Sequence, residues 1–112
     1  MSKTPKLVRD KIPEILASSG LSHDIEVLST EDYIKALEDK LLEELNEYYE
    51  SRESRNPDYL EELADIYEVL IALVVALGYT NADLINRVAT KRANRGSFER
   101  RFLLKKIYEE EK

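Results

Sequence analysis

Apolar residues recur at helical spacing along most of this chain. Ile34, Leu37, Leu41, Leu45 and Tyr48 fall on one stripe, within about 40° of their mean at roughly 100° per residue. A second stripe, Leu63, Ile66, Tyr67, Leu70, Val74 and Leu77, follows a polar stretch from Ser51 to Pro57. Punctuation sets the bounds. A short first helix is predicted from near Asp10, with Pro13 in its first turn, to Ser18 or Ser19 before Gly20. Ser29 or Thr30 caps the second, which runs to about Ser54. The third restarts at Asn56-Pro57-Asp58, with the proline in its first turn, and Gly78 closes it. Thr80 with Asp83 opens a fourth that ends at Gly96. Residues 1–11 read as extended, His23 to Leu28 as a strand or an extended link, and Phe98 to Glu110 as a last short helix or an irregular tail. The expected fold is all-α: one domain over residues 1–112, an antiparallel bundle of four to five helices behind an extended N-terminal segment.

Residues 69–77 (VLIALVVAL) leave no polar face. They are too few to span a bilayer, which needs about 20 apolar residues. A water-exposed helix cannot be apolar all round, so something must cover it. A chain this short does that most simply with a second copy of itself, and a homodimer or higher homo-oligomer is expected; the alternative cover is residues 1–28 and the C-terminal segment folded back over it. Val69, Ile71, Ala72, Val75 and Ala76 lie outside the intramolecular stripe and would form its seam.

The polar positions carry the chemistry. Glu44 and Glu47 are three residues apart, and so are Glu62 and Asp65, so each pair lies on one helical face. Both pairs are displaced from their own stripe in the same rotational sense, by about 60–120° and about 80–140°. Antiparallel packing through the stripes then puts them on the same side at similar levels. Acidic residues on a helix are ordinarily just solvated. Two matched pairs flanking one hairpin repel unless a cation joins them, which favours a metal site. Oxygen-only ligands select a hard ion: Mg2+, with Mn2+ as a substitute. Glu43 is expected to face outward.

Composition narrows the classes. Hydrophobic residues make 43% of the chain and charged ones 36%, with only three glycines and three prolines, which suits long helices. No cysteine is present, so disulfides and thiolate metal sites are excluded. The charged opening from Met1 to Lys11 is unlike a signal peptide, so a cytoplasmic location is expected, with no membrane partner. A net charge of −6 argues against a nucleic-acid polymer.

Basic residues nevertheless gather at the ends, and Arg87, Lys91 and Arg95 form an i, i+4, i+8 row. Cations near a helix C-terminus often only complement its dipole. Beside a metal site, Lys91 and Arg95, with Arg9 and Lys11, are candidates for holding phosphate. Leu84, Ile85 and Val88 are expected to be core. Tyr33 shares a row with Lys40, Glu44 and Glu47 and could reach a bound base. His23, the only histidine, falls outside the helices, and no Glu-x-x-His, glycine-rich phosphate loop or G-x-S-x-G occurs.

Taken together, Glu43-Glu44-x-x-Glu47, then Glu62-x-x-Asp65, then Lys91 and Arg95 resemble the motifs of the MazG-like all-α nucleoside triphosphate pyrophosphohydrolases. Lys6-Leu7-Val8-Arg9-Asp10-Lys11-Ile12-Pro13-Glu14 resembles a small house-cleaning, phosphoribosyl-ATP pyrophosphohydrolase-like subgroup. Where that subgroup has Arg-Gly-Gly-Phe, this chain has Arg95-Gly96-Ser97-Phe98. The resemblance implies Mg2+-dependent cleavage of a nucleoside triphosphate to monophosphate and pyrophosphate. Glu44, Glu47, Glu62 and Asp65 would hold the metal, and Glu43 or Glu61 would orient or deprotonate the attacking water. Two other readings stand beside it: a non-enzymatic helical dimerisation module, and a nucleotide-binding member without turnover.

Overall fold

In the computed structural model, which describes residues 5–109, four α-helices and no strand occur among the described residues. The all-α expectation holds. The single domain expected over residues 1–112 divides by its contacts into two units, one up to Asn81 and one from Ala82 onward.

The first unit opens with an irregular segment. Residues 1–4 of the expected extended stretch lie outside the described residues. Helix α1, Ile12–Ser18, has its proline in the first turn. Gly20 ends it in the left-handed region, at φ 74°, while the Gly20 and Leu21 amides bond back to Ala17 and Leu16. His23 to Leu28 forms no strand, since no second strand is there to pair with it.

Helix α2, Thr30–Ser51, starts where Ser29 accepts a hydrogen bond from the Asp32 amide at 3.2 Å. It stops short of the expected Ser54. Ser51 Oγ donates to the Tyr48 carbonyl at 2.7 Å, and the amides of Arg52, Glu53 and Ser54 bond three residues back, tightening the end. Helix α3 is Tyr59–Ala76. Asp58 takes the cap, its Oδ1 accepting from the Glu61 amide at 3.1 Å, so Pro57 precedes the cap rather than opening the helix. Gly78, at φ 97°, closes α3 as its amide and that of Tyr79 bond to Val75 and Val74.

Helices α2 and α3 pack as an antiparallel hairpin. Tyr48 near the end of α2 meets Tyr59 at the start of α3, ring centres 6.0 Å apart, which sets the register. Leu37, 2% exposed, and Val69 are the buried hydrophobic side chains among the described residues, flanked by half-buried Ile34, Leu41, Tyr48, Ile66, Leu70 and Leu73.

The contact faces are rotated from the expected stripes. Leu45, Leu63, Tyr67 and Leu77 are exposed, whereas Glu44 is 5% exposed and Val69, expected outside the stripe, is covered within the hairpin. Leu37, Leu41, Glu44 and Tyr48 share one face by their spacing, so the seam runs through the carboxylate. On α3 the cause is plain: a helix apolar all round at 69–77 has no polar side to fix its rotation.

The second unit takes in most of helix α4, Asn81–Arg95, whose Asn81 still belongs to the first. Ile85 and Val88, expected in the core, are exposed, while Leu84 is half-buried. Gly96 ends the helix at φ 80°. Residues 98–109 are irregular, and Glu110 of the expected tail lies outside the described residues. Arg100 and Lys106 lie over the rings of Phe102 and Tyr108 at 4.6 and 4.7 Å, local contacts that order no helix. Among the described residues no single helix is long and apolar enough to cross a membrane.

Candidate metal centre

Two devices bring the acidic residues together. The Asp58 cap fixes the first turns of α3, which carry Glu61, Glu62 and Asp65. The Tyr48–Tyr59 contact levels α2 against them, so Glu44 comes beside Glu62. Glu44, Glu62 and Asp65 each offer a carboxylate oxygen, all within 4.8 Å of one another. Glu43, Glu44 and Glu47 make a second group of the same tightness. Glu44 belongs to both, so the four expected ligands, joined by Glu43, are spread over two overlapping groups rather than one ring.

Burial separates Glu44 from its neighbours. Its Oε1 lies 3.4 Å from Lys40 Nζ, whereas Oε2 is buried with no hydrogen-bond partner. A buried, unpartnered carboxylate oxygen is costly, of order 1–3 kcal/mol or more for a charged group. A cation beside it would offset that cost. This donor set, all oxygen and partly desolvated, fits a hard divalent ion.

The electrostatics agree. Partial removal from water holds the Glu47 carboxyl above its ordinary range, followed by the like charges of Glu44, Glu43 and Glu62. Glu62 is raised in the same order of causes, by desolvation and then by Asp65, Glu44 and Glu61. Both shifts are those of carboxylates crowded without a full counter-charge.

The two candidates for activating water differ in setting. Glu43 faces outward as expected, half exposed, and pairs with Lys40 at 3.5 Å. Glu61 is exposed, its charge felt by Glu62 and Arg9. Of the basic candidates, Arg9 is at the cluster itself, Nη2 donating to Asp65 Oδ1 at 2.7 Å. Lys11 lines a shallow depression on α1 with Glu14, Ile15, Ser18 and Ser19. Lys91 and Arg95 are exposed on α4, in the second unit. Tyr33 is half-buried.

Sequence reasoning passed over Lys40 as a partner, although its place four residues before Glu44 was a legible signal. The Arg9–Asp65 pair, 56 positions apart, carried no such signal. The chain matches no family model, no curated protein and no solved structure.

Proposed function

We propose that this chain is a Mg2+-dependent pyrophosphohydrolase that cleaves a nucleoside triphosphate, a non-canonical one included, to the monophosphate and pyrophosphate. The observation that carries the reading is the buried, unpartnered Oε2 of Glu44, on a residue whose carboxylate lies among those of Glu62 and Asp65. Glu44, Glu47, Glu62 and Asp65 are the residues that would hold Mg2+, or Mn2+ in its place. A divalent ion held by them would supply neutralisation of phosphate charge and polarisation of the phosphoryl group.

The chain's own residues supply the rest. Glu43 or Glu61, beside the ligands, accepts a hydrogen bond from the attacking water and takes its proton. Arg9 and Lys11, in the unit that carries the cluster, add positive charge for the phosphates, and the motif resemblance implies the same role for Lys91 and Arg95. The motif resemblance supports the same assignment residue by residue. Pyrophosphate release tests it, screened over canonical, oxidised, deaminated and deoxy-nucleotides with and without Mg2+. Release that needs Mg2+ and is lost in Glu44→Gln is the expected result. Binding without release would mean a nucleotide-binding protein without turnover, and neither binding nor release would overturn the reading.

A second observation favours self-association. Leu42, Leu45 and Tyr49 on α2 and Leu60, Leu63 and Tyr67 on α3 are exposed. Helical spacing puts each trio on one face, about 70–130° from the packed seam in the same rotational sense, so both lie on one edge of the hairpin. Six large apolar side chains on one edge, each at least 40% exposed, are more than scattered surface hydrophobics. We propose that a second copy of this chain covers that edge, because the thin core of one hairpin leaves each copy with the same unmet need. By the same geometry Glu47 and Asp65 fall toward the opposite edge, so the dimer leaves the metal site open. A protein that dimerises and binds neither Mg2+ nor nucleotide would instead be a helical dimerisation module.

A further inference from the structure

The segment before α1 reaches the carboxylate cluster through one side chain. Arg9 Nη2 donates to Asp65 Oδ1 at 2.7 Å. Glu61 and Glu68, about one turn before and after Asp65, add attraction, and the guanidinium is held more firmly protonated than usual, first by its hydrogen bond to Asp65. With side chains 59% and 30% exposed, the pair is largely open to water. Such pairs contribute little to folding, so stability is a poor account of it. Its effect is on direction: a short charge-assisted bond fixes how the Asp65 carboxylate is turned.

Charge decides whether a metal would expel Arg9. The four proposed ligands, Glu44, Glu47, Glu62 and Asp65, carry two negative charges more than one divalent ion neutralises. Lys40 beside Glu44 and Arg9 beside Asp65 supply those two, Arg9 engaging only one of Asp65's two oxygens. Nothing in this balance requires it to leave.

We infer that Arg9 is a positioning residue for the metal site: it stays on Asp65 and holds that carboxylate where it offers an oxygen within 4.8 Å of those from Glu44 and Glu62. The inference rests on the metal-binding reading proposed above. Ligating carboxylates are commonly oriented by such outer partners, whose loss weakens metal affinity about 10–100-fold.

The test is Mg2+ titration of the nucleotide-free full chain by calorimetry, with the metal-free thermal midpoint as a check on folding. Arg9→Gln should weaken Mg2+ binding about 10–100-fold and leave the metal-free midpoint nearly unchanged. Arg9→Lys should recover part of the affinity, because it keeps the charge but not the planar fork. Unchanged or tighter Mg2+ binding in Arg9→Gln would overturn the inference, making Arg9 a bystander or a competitor, and leave the metal site standing. A metal-free Arg9→Gln chain that unfolds would overturn it too, since the contact would then be structural. If the unmodified chain binds no Mg2+, the metal reading fails and this inference with it.

Discussion

Lys40 Nζ lies 3.4 Å from Oε1 of Glu44, one turn along the same helix, while the other oxygen of that carboxylate is buried and unpartnered. The lysine satisfies half of the group. What remains is a buried oxygen without a partner, on a carboxylate grouped with those of Glu62 and Asp65, a poor arrangement for stability alone and a good one for a cation.

Glu44→Met should therefore stabilise the metal-free protein. Replacing a buried, half-satisfied charge by an apolar side chain of similar volume is often neutral or favourable by about 1–4 kcal/mol. A rise of a few degrees in the metal-free midpoint is expected, together with loss of the Mg2+-induced shift. A lower midpoint would show that the Lys40–Glu44 pair outweighs the unmet oxygen.

Asp65→Ala should abolish Mg2+-dependent pyrophosphate release with the helical content intact, and Glu47→Ala likewise. Removing one of several crowded carboxylates relieves repulsion when no cation is bound, so neither variant should be less stable than the parent without metal. Full turnover by Asp65→Ala would sink the assignment.

A pH dependence follows from Glu47 and Glu62, both raised above the ordinary carboxyl range by desolvation first and neighbouring charges second. The unfolded chain gives up these protons at lower pH than the folded one. Between the two values the folded state binds more protons, so stability falls as pH rises. Below the unfolded value this loss is absent. Urea midpoints of the metal-free protein, compared with Glu47→Gln/Glu62→Gln, should diverge as pH rises through the carboxyl range, the double variant losing less. Parallel curves would show that the two groups are not strained in solution.

Helix positions were largely legible in the sequence because Ser29, Asp58, Gly20, Gly78 and Gly96 act locally. The convergence of Glu44 with Glu62 and Asp65 was legible too, through equal spacing on two helices. Rotation was not. With Leu42 and Leu45 beside Leu41, and an all-apolar run on α3, several stripes compete, and tertiary packing chose one that buries Glu44. Arg9 lies at the end of a long-range contact that no periodicity encodes.

Lys91 and Arg95 lie in the second unit and have their own test. Lys91→Ala/Arg95→Ala should lower kcat/KM for the triphosphate by about 10-fold or more, corresponding to loss of charge-assisted bonds of roughly 1.5–3 kcal/mol. Mg2+ affinity without nucleotide should not change. Unaltered kcat/KM would leave the row as a solvated face complementing the α4 dipole.

Assembly is the last expectation, and the structure moves its probe. Val69 is buried against α2 and Ile71 is half-buried, so the seam first expected at 69–77 is partly used within one chain. The free apolar edge holds Leu42, Leu45, Tyr49, Leu60, Leu63 and Tyr67. Association costs on the order of 4–15 kcal/mol in lost freedom. Covering one aliphatic or aromatic side chain fully returns roughly 1.5–3 kcal/mol, so partial covering of six per subunit, twelve in a dimer, suffices. Leu63→Glu places a charge at the middle of that edge and should shift the protein to monomer at micromolar concentration, whereas Val75→Glu, on another side of α3, should not. Light scattering distinguishes the two. An unmodified chain that is monomeric at high micromolar concentration would reject the dimer.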